Sequence, residues 1–297
     1  MKPGFARTLA LLLGIAAGAF APEAHVFAWA IRWLVVAMLF LVFLSTRLAR
    51  TALHRTHAVL LVANVVLGFL AWAFGWVVGG RDVALAAFFA GITPTATAAP
   101  VIVSFLRGRV DYVIAAFLLT NIVIAALLPL LLPLVLGQPA PRVFADVLGS
   151  VALVVFGPML AAGLLRRAAP RSVEWPARLR NVSFGMWVLA IALITANASH
   201  FVRQHAEIPR LILGEIAVVS ALVCAVNFAV GRVIGGREYA REASQSLGQK
   251  NTTFTIYLAL TYANPVVALG PTCYVVWHNL WNSWQLHRAA REETRPR

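Results

Sequence analysis

Two stretches of this chain mix polar side chains and helix breakers into otherwise apolar sequence. The first, Gly91-Ile-Thr93-Pro94-Thr95-Ala-Thr97-Ala-Ala99-Pro100, sets two prolines six residues apart among three threonines. Each proline removes a backbone N–H and crowds the preceding turn, so a helix through this segment is expected to unwind. The second, Ser244-Gln-Ser246-Leu-Gly248-Gln249-Lys250-Asn251-Thr252-Thr253, is a polar run in which Gly248 is free to take positive φ. Broken helices expose carbonyls at one end, which attract cations, and N–H groups at the other, which attract anions. Two of them facing each other make a binding site largely out of backbone, with Thr93, Pro94, Thr95, Thr97, Pro100, Gly248, Gln249, Asn251 and Thr252 as its wall. Lys250 is the sole cation in either stretch.

The elements that must hold these stretches are membrane helices. Of 297 residues 61% are hydrophobic and 12% charged, with a mean hydropathy of +0.81, whereas soluble domains are about a quarter charged. At roughly 20 apolar residues per crossing, the length accommodates about ten helices and no separate soluble domain. Hydropathy and loop breakers place them near 8–21, 26–46, 57–78, 82–106, 110–137, 143–166, 181–203, 209–234, 238–263 and 264–287. The expected fold is all-α and polytopic, one transmembrane domain over 1–297 with the lipid bilayer as solvent.

The net charge of +14, from 25 Lys+Arg against 11 Asp+Glu, is an orientation signal. Assigning alternate loops to opposite sides puts nineteen of these cations on one side and four on the other, so the rich side, with both termini, is expected to be cytoplasmic. A nucleic-acid reader would gather them in a stripe instead. Arg32 and Lys250 alone remain inside spans. Met1 to Ala24 also reads as a secretory signal, with Lys2 and Arg7 ahead of LALLLGIAAGAF, an alternative that would leave an odd number of spans.

Ten spans divide into repeats over 1–137 and 143–290, and since five is odd the halves are inverted, the plan of many secondary transporters. The third span carries Asn64-Val-Val-Leu-Gly68 and its counterpart, the eighth, Asn227-Phe-Ala-Val-Gly231. Under the same repeat the two breaker-rich stretches fall in corresponding spans, the fourth and ninth, which are expected to be interrupted near the midplane. Asn121, His278 and Asn279 sit near the middles of their spans as further cavity-lining candidates, or as bonds between helices. Arg32 and Glu215 are both placed near the extracellular end and are expected to pair or to snorkel to the interface. No cofactor or metal motif is present, Cys224 and Cys273 read as small buried hydrophobes, and no acidic residue near a span centre suggests intramembrane catalysis. Oligomeric state leaves no signal in the sequence.

At these residues the chain resembles the bile acid:sodium symporter family, in particular its bacterial members similar to the apical sodium-dependent bile acid transporter. The matches are Leu106-Arg107-Gly108 closing the fourth span, Leu247-Gly248 to Asn251 in the ninth, Ala263-Asn264-Pro265, and Val276-Trp277-His278-Asn279 in the tenth. The resemblance implies core and panel domains, fourth and ninth helices that cross, a bacterial-type inner membrane, and alternating-access transport of an organic anion, from bile-acid-like steroids to small carboxylates.

The departures fall on the family's sodium sites. Ala99-Pro100 stands where the family carries Ser-Asn, Val113 and Phe117 where the fifth span supplies hydroxyl ligands, and Ser246-Leu-Gly248-Gln249-Lys250-Asn251 where the pattern is Glu-x-Gly-x-Gln-Asn. Hard cations want oxygen donors, and a lysine offers N–H alone. Lys250 is therefore expected to occupy the region of a lost sodium ion, with Asn64 and Ser246 beside it, or else to exchange a proton during the cycle. The expected function is an organic-anion carrier not coupled to sodium in the family's manner. A sodium symporter with a divergent site and a channel-like or sensory membrane protein stay open as alternatives.

Overall fold

The computed structural model describes residues 3–45, 53–96, 98–137, 140–204 and 209–293. Every regular element in it is helical: α1 Pro3–Phe20, α2 Trp29–Ser45, α3 Arg55–Ile92, α4 Ala98–Phe105, α5 Val110–Leu136, α6 Ala140–Val151, α7 Gly157–Ala168, α8 Trp175–Arg178, α9 Arg180–Gln204, α10 Leu211–Gly235, α11 Ala240–Gly248, α12 Thr252–Tyr262 and α13 Pro265–Glu293. A π-helical turn at Ala152–Phe156 joins α6 to α7. Among the described residues, five stretches are long and apolar enough to cross a membrane: Arg55–Ile92, Val110–Leu136, Phe144–Ala168, Asn181–Gln204 and Leu211–Gly235. The chain is an all-α membrane protein.

Helix α3 carries the third expected span and the first part of the fourth in one 38-residue element. The chain reverses inside it at Gly79 and Gly80, where φ/ψ leaves the helical region and Gly80 takes φ 73°. Close approaches on either side prove the hairpin: a Cβ on Gly75 would meet the Ala84 backbone, and one on Gly68 would meet Ile92. Helices α10 and α11 form a second hairpin about Gly236, φ 59°. There Gly231 lies against Ala243 and Ser244, and Gly235 against Ala240. In a bilayer small residues let two backbones approach where side chains would hold them apart. Asn64 and Asn227 sit one turn before Gly68 and Gly231, so in each hairpin a buried amide faces a close helix contact.

Both breaker-rich stretches interrupt their helices. The first break separates α3 from α4 and the second separates α11 from α12. Pro94 lies in the gap, whereas Pro100 is in the first turn of α4, where a missing N–H has no intrahelical acceptor to lose; the unwinding expected around Pro100 does not occur there. Thr97 lies outside the described residues. Around these breaks α3, α10, α11 and α13 pack together with α4 and α5, while α1, α2, α7 and α9 pack on one another, α12 and α13 bridging to them.

The hairpin geometry has a direct check. Gly75→Ala puts a methyl 2.5 Å from the Ala84 Cα and is expected to destabilise by about 1–3 kcal/mol. Gly149→Ala, with nothing within 4 Å, should leave the melting temperature in detergent unchanged or raise it. Equal effects of the two substitutions would contradict the close approach.

Candidate functional site

The two breaks meet. Thr95 and Lys250 form an isolated antiparallel bridge, with Ala96 N–H donating to Gln249 O at 2.7 Å and Asn251 N–H to Pro94 O at 2.8 Å. This two-bond piece of sheet satisfies backbone groups that the interrupted helices leave open.

Side chains take up the rest. Lys250 is 2% exposed, and its ammonium donates to the Asn64 side-chain oxygen and, at 3.0 Å, to Gly91 O. Asn64 in turn donates to Ile92 O at 2.8 Å. The last carbonyls of α3 are thus capped by one cation and one amide, at the end where the helix dipole favours positive charge. At the other break Gly248 O receives the Tyr274 hydroxyl at 2.8 Å, a neutral cap. The two ends therefore differ by a full charge.

A hydroxyl and amide chain ties the crossing to α5. Thr95 N–H donates to Thr120 Oγ1 at 3.1 Å, Asn121 donates to Thr95 O at 2.8 Å, and Asn251 donates to Asn121 Oδ1 at 3.1 Å. Thr95 Oγ1 reaches the Ser246 carbonyl, and Thr93 pairs with Thr255 at 2.7 Å. Gln249 accepts from Asn282, which also accepts from Gln245 at 3.0 Å.

A cavity of about 220 Å³ reaches the crossing, walled by Leu39 and Val42 of α2 and Phe184 and Trp187 of α9. Its inner face holds Gln249, Lys250, Asn251, Thr252 and His278 together with Ala98 at the start of α4. The first residues of α4 and α12 both lie on this face, so two helix N-termini of eight and eleven residues border one space. His278 is fully buried with both ring nitrogens unpartnered, and Thr252 Oγ1 is unpartnered as well. Such groups are costly unless a ligand or water completes them.

Of the sequence candidates, Thr93, Thr95, Asn64, Asn121, Gln249, Lys250, Asn251, Thr252 and His278 converge on the crossing or its cavity. Two do not take the places expected, and one expected pair does not form. Ser246 turns its hydroxyl back to Glu242 O at 2.8 Å, so only its carbonyl joins the site. Asn279 donates to Val275 O of its own helix at 2.7 Å, as mid-helix amides do when no neighbour competes. Arg32 and Glu215 do not pair: the Arg32 guanidinium lies 5.8 Å over the Tyr257 ring, while a Cβ at Gly79 would strike the Glu215 carboxylate, which rests in the α3 turn. Thr120, Thr255, Tyr274 and Asn282 join the network without having been expected; Thr120 adjoins Asn121, Thr255 lies three residues after Thr252, and Asn282 three after Asn279.

Among the described residues, no group of three or more His, Cys, Asp or Glu could hold a metal. No protein-family model and no curated protein matches the chain, so its chemistry rests on this geometry. The Lys250–Asn64 bond is open to a double-mutant cycle in detergent. Lys250→Met and Asn64→Leu each leave buried polar groups unpartnered and are expected to lose about 1–3 kcal/mol, while the double substitution should cost clearly less than their sum. Strict additivity would mean that the two side chains do not interact.

Proposed function

We propose that this protein is a secondary carrier of the bile acid:sodium symporter kind, moving an organic anion by alternating access, with Lys250 in place of a mobile sodium ion. In this reading the chain has about ten spans in two inverted repeats, α3, α4, α10, α11, α12 and α13 with α5 forming a core and α1, α2, α7 and α9 a panel. It sits in a bacterial-type inner membrane with both termini cytoplasmic, and it is not an enzyme. The observation that carries the proposal is the backbone-paired crossing of two broken helices at the end of a cavity.

Two helix N-termini, a buried ammonium and unpartnered Thr252 and His278 surround a space of about 220 Å³, which favours a carboxylate over a neutral or cationic solute. Apolar walls from α2 and α9 suit the hydrocarbon part of such a molecule. With Leu39, Val42, Phe184 and Trp187 lining the exit, the assigned topology makes the cavity open to the cytoplasm.

The coupling follows from the same atoms. A sodium ion needs several oxygen ligands, and the Lys250 ammonium already occupies the Asn64 and Gly91 oxygens. A tethered cation cannot leave with the substrate, so sodium has no seat at that position, and a proton is the one species Lys250 can exchange.

Counterflow into proteoliposomes tests the function, with taurocholate and a set of small branched monocarboxylates as probes. Saturable exchange of at least one probe, undiminished when sodium is replaced by choline, is expected. Thr252→Val is expected to raise the half-saturating concentration roughly fivefold or more through loss of one hydrogen bond to a charged group. Strict sodium dependence, or a conductive leak without saturation, would overturn the reading.

A further inference from the structure

Helices α10 and α13 run parallel. Their register is set by Ser220, whose hydroxyl donates to Gly270 O at 2.9 Å, and further along by Phe228 against Trp281, with ring centroids 5.5 Å apart. Between them lies an open groove of about 430 Å³. Ala221 and Ala225 keep it deep, and Phe228, Trp277, Trp281 and Trp284 wall it. Trp277 is held by its indole N–H on Ala217 O at 3.0 Å. Trp281 and Trp284 stay 37% and 50% exposed and lean on each other with centroids 5.0 Å apart.

Two exposed arginines stand at the end toward which both helices run. Arg232 follows Phe228 by one turn, about 6 Å along α10, and Arg288 follows Trp281 by seven residues, about 10 Å along α13. The Arg288 guanidinium lies 5.8 Å over the Trp284 ring, so an aromatic face positions the charge beside the mouth of the groove. This is also the side on which the loops collect most Lys and Arg.

We propose that the groove is a binding site for one anionic phospholipid, with its phosphate between Arg232 and Arg288 and an acyl chain laid over Ala221 and Ala225 among the tryptophans. The charges decide between the two molecules able to cover an apolar face in a bilayer. A second copy of this chain, related by a two-fold axis along the membrane normal, would bring its own Arg232 and Arg288 to the same level and set like charges against each other. A lipid phosphate brings the opposite charge to that level, and its chain enters the groove from the bilayer without crossing water. Basic sites between helices at the cytoplasmic face recognise anionic head groups in this way.

Native mass spectrometry of the detergent-purified full chain, supplemented with equal amounts of palmitoyl-oleoyl phosphatidylglycerol and phosphatidylcholine, tests this. Wild type should retain one phosphatidylglycerol in preference to phosphatidylcholine by roughly tenfold or more. Arg232→Gln with Arg288→Gln should bring that ratio close to one. Ala225→Trp, which fills the groove and keeps both arginines, should remove the bound lipid altogether. Arg232, Arg288 and Ala225 are all exposed, and an unchanged melting temperature in detergent shows that either variant is folded. Retention of phosphatidylglycerol by the double arginine variant at the wild-type ratio, or no preference in wild type, overturns the proposal. So does a dimer that Ala225→Trp dissociates, which would assign the groove to a second copy.

Discussion

An α-helix that stops inside a bilayer leaves carbonyl groups with no intrahelical acceptor role and no water to take them. Here α3 stops at Ile92, and the groups that meet its open end are the Lys250 ammonium on Gly91 O and the Asn64 amide on Ile92 O. Lys250 also holds Asn64 itself, so one side chain links the end of α3, the middle of the same hairpin and the break between α11 and α12. The adjacent backbone pair, Ala96 to Gln249 and Asn251 to Pro94, is possible only because both chains are extended at that point. Thr120 and Asn121 then bind Thr95 from α5. The rest of the crossing is arranged around that ammonium.

Charge makes the two breaks unequal. A cation caps the first and the neutral Tyr274 hydroxyl caps the second. A buried ammonium with two neutral acceptors and no carboxylate is costly, and among the described residues the ion pairs are elsewhere, between Arg109 and Glu238 and between Arg178 and Glu174. An anion in the adjoining cavity would relieve that cost. In the proposed carrier the bound anion and the tethered cation thus form a pair, and occupancy of the cavity changes the electrostatics of the crossing without an ion binding from solution.

Much of this was legible in the sequence because membrane segments advertise their irregularities. Pro94 marked the first break and the polar run around Lys250 the second, although Gly248 does not take positive φ and instead admits the Phe228 ring; Lys250 stood out because an ammonium inside a span demands partners. Asn64 was legible through its match with Asn227. What stayed hidden depended on rotamers and on distant neighbours. Ser246 and Asn279 are polar residues of suitable type, yet each hydrogen-bonds its own helix, a competition that sequence does not reveal. Arg32 and Glu215 share a depth in the membrane but face different helices. Tyr274 passed for an ordinary aromatic, and its contact with Gly248 O joins residues 26 apart across two helices. The reversal at Gly79-Gly80 was visible as a loop, whereas the tightness of the hairpin came from Gly68 and Gly75 meeting α3's own second limb.

Whether a lysine fills a cation's place is read from the thermal stability of the protein in detergent across sodium, potassium and choline chloride. At equal ionic strength the wild-type melting temperature is predicted to be the same in all three salts, while Lys250→Ala, with the Asn64 and Gly91 oxygens vacated, melts lower and is raised selectively by sodium. A selective stabilisation of the wild type by sodium would contradict the account, because it would mean that an ion site exists with the ammonium still in place.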